Sequence, residues 1–418
     1  MLSAEYGETS VKILNKCPVC KSSSIFLALP LSDTPLEDRY LSRPTTPPVF
    51  PLILYICGDC EHLFLRHVVD PGESYSDYLY ESSTTVGLAL HYKNNAEDII
   101  SRFRGSVLSY VLDIGSNDGT MLEAFTQVGL AALGVEPAGQ IAEKANSHGR
   151  KTINGYFSAE TVDSILATRE RPSIVTANFM FANVAEPLEF SKLVEFLMQD
   201  DGLFVIETGY HPSQFSRNMF DYVYHEHLSY FSVTVLKRLF ESCGLRLFSV
   251  SENTQKGGSI RAFVCKAKAP GYYQDDSVDN FICLEKNSSI SDISYFLDLY
   301  SRIVSEKVAL LKVLDSERRR GSSIVGFGAS HSTTTLIYEF AIAPFLDYIV
   351  DDNPIKNGRF SPGFNIPVFP TQKIYDLLPD LIVILAWQHA EIILNSHRAL
   401  LKSGVKFIVP LPKVIIHG

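Results

Sequence analysis

Four of the seven cysteines stand in two pairs, Cys17-Pro-Val-Cys20 and Cys57-Gly-Asp-Cys60. A two-residue spacing lets both thiolates of a pair face one tetrahedral zinc at about 2.3 Å, so Cys17, Cys20, Cys57 and Cys60 predict a structural Zn2+ site. A redox Cys-x-x-Cys is the rival reading, but it does not account for a second copy. Residues 21–56 then form a long excursion inserted in a zinc ribbon. His62 and His67 lie close by, and with four thiolates available they are read as bystanders. Cys243, Cys265 and Cys283 are isolated, and an odd cysteine count spread over a long chain argues against a disulfide framework.

The densest cluster of titratable and aromatic groups is Phe220 to Ser232, which contains Tyr224-His225-Glu226-His227. A histidine can remove a proton near neutral pH, and a tyrosine hydroxyl can hydrogen-bond an oxyanion. His-x-His can also chelate a metal, although the helical i, i+4 spacing of zinc hydrolases is absent. The plain alternative is an aromatic turn packed before a helix that starts near Ser232.

A third group is Asp113-Ile114-Gly115-Ser116-Asn117-Asp118-Gly119, where small residues let the backbone pass close to a ligand at the end of a strand. Its spacing fits neither G-x-G-x-x-G nor a P-loop. At the tip of the next strand stands Glu136-Pro137, where a carboxylate can accept both hydroxyls of a ribose. Together these resemble the S-adenosylmethionine site of a class I methyltransferase, which has no pyrophosphate to grip. A plain strand–helix turn and a nicotinamide site are the alternatives.

The elements that would hold these groups fall into three segments, and the fold class they predict is α/β. Residues 1–84 are loop-rich and punctuated by Pro30, Pro35, Pro44, Pro47, Pro48, Pro51 and Pro71, and a metal would supply the order a small core cannot. Residues 85–285 alternate strands with amphipathic helices, as in a parallel, doubly wound, Rossmann-like sheet. Strands are expected at Tyr110–Ile114, Ala131–Val135, Ser173–Ala177 and Leu203–Ile206, with helices at Thr120–Val128, Ala138–Ser147, Pro187–Met198 and Val233–Cys243. One long helix from Glu285 to Arg319 leads into residues 286–418. There the grammar restarts as a second Rossmann-like α/β domain: strand Ser323–Gly326, loop Gly326-Phe327-Gly328-Ala329-Ser330, helix, strand Leu346–Val350, then Asp351-Asp352. Two nucleotide-binding-like halves imply two ligands.

Composition bounds the partners. The 418 residues are 46% hydrophobic and 20% charged, the balance of a folded globular chain rather than a disordered one. The longest apolar run, Leu381 to Trp387, is far short of the roughly 20 residues of a membrane span. The N-terminus shows no basic start followed by an apolar stretch, so the protein is expected in the cytoplasm, without membrane association. A net charge of −10 disfavours nucleic acid, and Arg318-Arg319-Arg320 before Gly321 reads as a solvated helix end.

In order along the chain stand Cys17/Cys20/Cys57/Cys60, Tyr78-Leu79-Tyr80-Glu81-Ser82-Ser83, Asp113 to Gly119, Gly134-Val135-Glu136-Pro137-Ala138, Tyr224 to Phe231, and Lys256-Gly257-Gly258-Ser259-Ile260-Arg261. Val350-Asp351-Asp352-Asn353-Pro354, Gly358-Arg359 and Ser361-Pro362-Gly363 complete the series. Across nearly all of its length the chain thus resembles the zinc-containing, S-adenosylmethionine-dependent C-methyltransferases of deoxysugar biosynthesis. The resemblance implies a zinc-binding N-terminal domain, a central methyltransferase domain and a C-terminal domain for a nucleotide-linked keto sugar. It also implies methylation of carbon 3 of an NDP-4-keto-6-deoxyhexose, most simply dTDP-linked, through an enolate. His227 matches the family's base, with Tyr224, Tyr78 and Glu226 beside the sugar. Asp113, Gly115, Asn117, Asp118, Gly119, Glu136, Pro137 and Asn178 form the cofactor set. Two departures stand out: Asn183 occupies the place of an expected histidine in Asn178-Phe179-Met180-Phe181-Ala182-Asn183, and Ala329-Ser330-His331 replaces a loop that commonly holds a lysine. Asn183, Ser330, His331, Asp352 and Lys356 are the candidate sugar-nucleotide contacts. Methylation of carbon 5, O- or N-methylation of another small molecule, and a non-catalytic binding module are the alternatives. A monomer is expected.

Overall fold

A computed structural model describes residues 11–70, 81–85 and 87–418. The N-terminal module is a four-stranded antiparallel sheet ordered Ser229–Tyr230, Leu63–Leu65, Ile53–Cys57, Ile25–Pro30, beside a short ribbon pairing Val11–Ile13 with His67–Val69. Its outer strand is lent by the segment that immediately follows the histidine cluster, with Ser229 opposite Phe64 and Tyr230 opposite Leu63.

The central sheet has seven strands in the order Leu245–Asn253, Ser259–Lys266, Leu203–Gly209, Ile174–Asn178, Val111–Ile114, Ala132–Glu136, Thr152–Asn154. The last five are parallel, and the first two form an antiparallel hairpin added at one edge. The parallel strands are continuous apolar runs, Val111–Ile114 and Ile174–Asn178 being buried throughout, because helices cover both faces. The wholly parallel sheet expected from the sequence is therefore corrected: after Leu245–Asn253 the chain turns back once, and Ser259–Lys266 runs against the other six strands. Gly257 and Gly258, both at positive φ, make that turn.

The C-terminal sheet has six strands, Val368–Pro370, Ile349–Asp351, Ile324–Phe327, Leu381–Ile384, Lys406–Val409 and Ile415–His417, parallel except for the last. The single helix expected from Glu285 to Arg319 is two helices, Asp276–Asn287 and Ile293–Arg319. Ser289 at φ 49° breaks the run. Glu285, buried, fixes the first helix by accepting from the backbone amides of Val233 and Thr234 at 2.7 and 2.9 Å, so it caps the helix Val233–Ser242.

The module packs on both larger units. One core joins Leu29, Leu52 and Leu54 through Phe220 and Val223 to the C-terminal sheet. Another joins Cys17, Cys57, Cys60 and Phe64 to Ile114, Val175 and Phe231. Among the described residues no helix is long and apolar enough to cross a membrane.

Candidate active site

The four thiols of Cys17, Cys20, Cys57 and Cys60 lie within 4.8 Å of one another. The pairs Cys17–Cys60 and Cys20–Cys57 stand 3.5 Å apart, near the roughly 3.8 Å between thiolates on a tetrahedral zinc. Cys17/Cys20 and Cys57/Cys60 sit in matching knuckles: Lys21 N–H donates to Cys17 C=O and Glu61 N–H to Cys57 C=O, with Lys21 and Glu61 both at positive φ. The donor set fits zinc. His62 stands apart from it, stacked between Phe64 and Phe231 with Nε2 3.1 Å from Ser229 Oγ.

Along the carboxyl ends of the central strands runs a cavity of about 1120 Å³, lined by the central domain and by Ser330–Ser332, Trp387–Glu391, Val409, Leu411 and Pro412 of the C-terminal domain. It exceeds the usual ~300–1,000 Å³ of a site for one small ligand. Its lining includes Gly115, Asn117, Glu136, Pro137 and Asn178. Glu136 is buried, which raises its pKa, and its oxygens accept from the amides of Asn117 (2.9 Å) and Ala138 (2.8 Å). Gly115 has φ +69°, and a Cβ there would stand 2.7 Å from Met180 Cγ. Asp113, Asp118 and Gly119 do not line the cavity and shape the loop from behind. Asp113 accepts from Thr176 Oγ1 (2.6 Å) and Asn178 Nδ2 (3.1 Å), and burial pushes its pKa up to about 7. Asp118 accepts from Ser83 N–H and Thr120 Oγ1, while Asn117 Oδ1 accepts from Ser82 N–H, so the Glu81–Thr85 strap lies on this loop. Asn178 Oδ1 and Ser116 Oγ are buried without a hydrogen-bonding partner among the described residues. A buried carboxylate, a glycine with no room for a side chain and the orphaned Asn178 Oδ1 fit a nucleoside without phosphates, which is the cofactor expected from the sequence.

The histidine cluster contributes Tyr224, Glu226 and His227 to the same lining. Tyr224 Oη lies 2.8 Å from His227 Nε2, with the rings 4.0 Å apart, and His227 Nδ1 lies 3.2 Å from the Tyr222 carbonyl. A carbonyl only accepts, so Nδ1 carries the hydrogen and Nε2 takes that of the Tyr224 hydroxyl. Burial, then the charges of Lys256 and His331, hold the pKa of His227 down near 3, so it is neutral.

His331 faces this pair from the C-terminal domain, its ring 5.1 Å from Tyr224. Burial alone would lower its pKa, but Asp38 (3.7 Å) and Glu226 (3.1 Å) flank it and push it up to about 9, so it is a cation between two carboxylates. Ser330, His331, Glu226 and Asn183 all line the cavity. Asp352 does not: it is exposed and accepts from Thr371 Oγ1. Neither does Lys356, which is buried on Asp38 and over the ring of Tyr40. The expectation for Tyr78 lies outside the described residues. Sequence reasoning passed over Met180 and Gln255 of the lining, and Glu37 and Asp38 behind it. An adjacent acidic pair in a proline-rich excursion was the one available signal for the last two.

The fold and this cradle define a class I methyltransferase with an added zinc module and a second Rossmann-like domain. Residues 17–75 match a zinc binding domain family, residues 88–250 a methyltransferase domain family and residues 254–412 the C-methyltransferase C-terminal domain family. In order along the chain, these matches make it a methyltransferase similar to the C-methyltransferases that combine the three domains. It is 28% identical over 407 residues to the C-methyltransferase NovU of Streptomyces niveus, covering 96% of this chain and 97% of that protein. Among solved structures it is similar to the CcbJ methyltransferase of Streptomyces caelestis, with a TM-score of 0.34, 12% identity, and coverage of 47% of this chain and 96% of that one. It is likewise similar to magnesium protoporphyrin IX methyltransferase of Synechocystis PCC 6803, with a TM-score of 0.32, 9% identity, and coverage of 43% and 80%.

Proposed function

We propose that this C-methyltransferase acts on carbon 3 of a nucleotide-linked, most simply dTDP-linked, 4-keto-6-deoxyhexose in deoxysugar biosynthesis. The observation that carries the reading is the Tyr224–His227 dyad: an imidazole whose Nε2 accepts the Tyr224 hydroxyl, in the same cavity as the cofactor cradle. A ketone acidifies the hydrogen on the adjacent carbon, because the carbanion delocalises onto oxygen. His227 is the base for that hydrogen, with Tyr224 as the hydroxyl between Nε2 and the substrate. Glu136 and Asn178 hold the cofactor's nucleoside. Bound there, S-adenosylmethionine supplies the methyl group that the enolate carbon takes up. Zinc, held by the four cysteines, is structural. Asn183 and Ser330 are polar contacts to the sugar nucleotide, and His331, held as a cation, faces its anionic part. Asp352 and Lys356 act at most from outside the cavity lining. The three units 1–84, 85–285 and 286–418 work in one chain, as a cytoplasmic monomer.

The test is proton exchange. The enzyme is incubated in deuterated water with dTDP-4-keto-6-deoxyglucose and its 3-amino or 2-deoxy analogues, with S-adenosylhomocysteine in place of the methyl donor, and followed by NMR. Loss of the signal at carbon 3 is the expected result, and loss at carbon 5 instead would move the methyl to that carbon. No exchange on any of these, with S-adenosylhomocysteine bound, would point to heteroatom methylation or a binding role.

A further inference from the structure

Glu37 and Asp38 belong to the excursion between the cysteine pairs, and between them they reach both flanks of the loop that carries the dyad. Asp38 holds His331, which holds Glu226. Glu37 holds His225 more completely. The His225 backbone N–H donates to both carboxylate oxygens of Glu37 at 3.2 and 3.3 Å, and His225 Nδ1 lies 2.7 Å from Oε1. Thr34 Oγ1 adds a third donor to Oε1 at 2.9 Å, and the Glu37 carbonyl accepts from Thr334 Oγ1 of the C-terminal domain at 2.7 Å. The Glu37 and His225 side chains are 1% and 0% exposed. His225 does not line the cavity, so it has no route to a substrate. Yet it stands in the chain between Tyr224 and Glu226, which do.

A buried carboxylate–imidazole pair is a poor way to gain stability, since an apolar pair of similar volume often does as well. What this pair does provide is direction. Three hydrogen bonds accepted by one carboxylate fix the backbone and the side chain of His225 together, and so set the loop on either side of it. The geometry points to Glu37 as a positioning residue for methyl transfer: by gripping His225 it sets the loop on which Tyr224 and His227 meet, and so makes the zinc module part of the reaction machinery. This rests on the role given to the dyad above. A displacement of about 1 Å at reacting groups can cost ~10²-fold in rate.

The experiment compares Glu37→Leu, Glu37→Gln and His227→Gln in the full zinc-loaded chain, measuring kcat, KM for the keto sugar, S-adenosylhomocysteine affinity and melting temperature. Gln keeps an acceptor for both His225 donors, and its kcat is expected within about threefold of wild type. Leu removes the grip, and its kcat is expected to fall at least tenfold, with KM and S-adenosylhomocysteine affinity within about threefold. Should Glu37→Leu fail to fold, Glu37→Leu/His225→Phe replaces the pair by apolar groups and carries the same expectation. Wild-type kcat in whichever Leu variant folds overturns the proposal, as does a loss in Glu37→Gln as large as in Leu. Loss of kcat, KM and cofactor affinity together in proportion to melting temperature also overturns it, because that is a purely structural role. If His227→Gln keeps wild-type kcat, the reading of the dyad falls first, and that outcome is separate from the others.

Discussion

His227 is neutral, with Nδ1–H spent on the Tyr222 carbonyl and Nε2 turned to Tyr224. A glutamine in its place offers no basic nitrogen while preserving much of the packing. His227→Gln is expected to lower turnover by about 10² or more, since a general base contributes ~10²–10⁴, and to leave S-adenosylhomocysteine affinity nearly unchanged. Turnover and calorimetric binding check this, and a near-wild-type rate would remove His227 from the mechanism. The dyad was legible in the sequence because both members stand within four residues of each other in an aromatic run. Its electrostatic surroundings were not. Glu37 and His225 are separated by 188 positions, and His331 and Glu226 by 105, and no local pattern links such residues. Asp352 and Lys356 show the converse: they follow a strand end as ligand-binding residues often do, but one points to Thr371 and the other is used up in joining Asp38 and Tyr40.

At the scale of elements, the strand–loop–helix unit from Val111 to Gln127 was readable to within a residue or two, because apolar run, glycines and amphipathic helix agree. The break between Asn287 and Ile293 was missed since it contains neither glycine nor proline, and serine at positive φ gives no periodic signal. The edge hairpin was missed because no strand was read past Leu203–Ile206, and Ser259–Lys266, buried in all but its last residue, shows no alternation to mark it. The loop after Val111–Ile114 makes the most exposed claim. Gly115→Ala forces a side chain into left-handed backbone at a cost of roughly 1–2 kcal/mol and drives its Cβ against Met180 of the cavity wall. S-adenosylhomocysteine affinity is expected to fall about tenfold or more, an amount equivalent to ~1.4 kcal/mol. Calorimetry on the folded variant decides it, and unchanged affinity would mean that the loop is not the cofactor cradle.

At the scale of the molecule, the two large units meet at Asp221, which accepts from Trp387 Nε1 at 2.8 Å and Gln388 Nε2 at 3.3 Å. Burial pushes its pKa up to about 7. An unfolded aspartate titrates near ~3.9, so between about pH 4 and 7 the folded state holds the extra proton. Stability from this group is therefore full below pH 4, declines as pH rises to 7 and is level above that. Asp221→Asn keeps an acceptor for Trp387 and cannot titrate. Its melting temperature relative to wild type is expected to be several degrees more favourable at pH 8 than at pH 5, and an equal difference at both would show that Asp221 titrates normally.

The borrowed strand Ser229–Tyr230 has a consequence for how the chain is made. The N-terminal sheet leaves the ribosome without its outer strand, which is synthesised only after most of the methyltransferase sheet. Domains generally fold in the order they emerge, but here the first segment must wait for a later one. In cells the two cysteine knuckles can gather their metal early, while the edge beside Leu63–Leu65 stays open until the loop bearing Tyr224 and His227 arrives to cover it. Completion of the first sheet and placement of the dyad are then a single event in the life of the nascent protein.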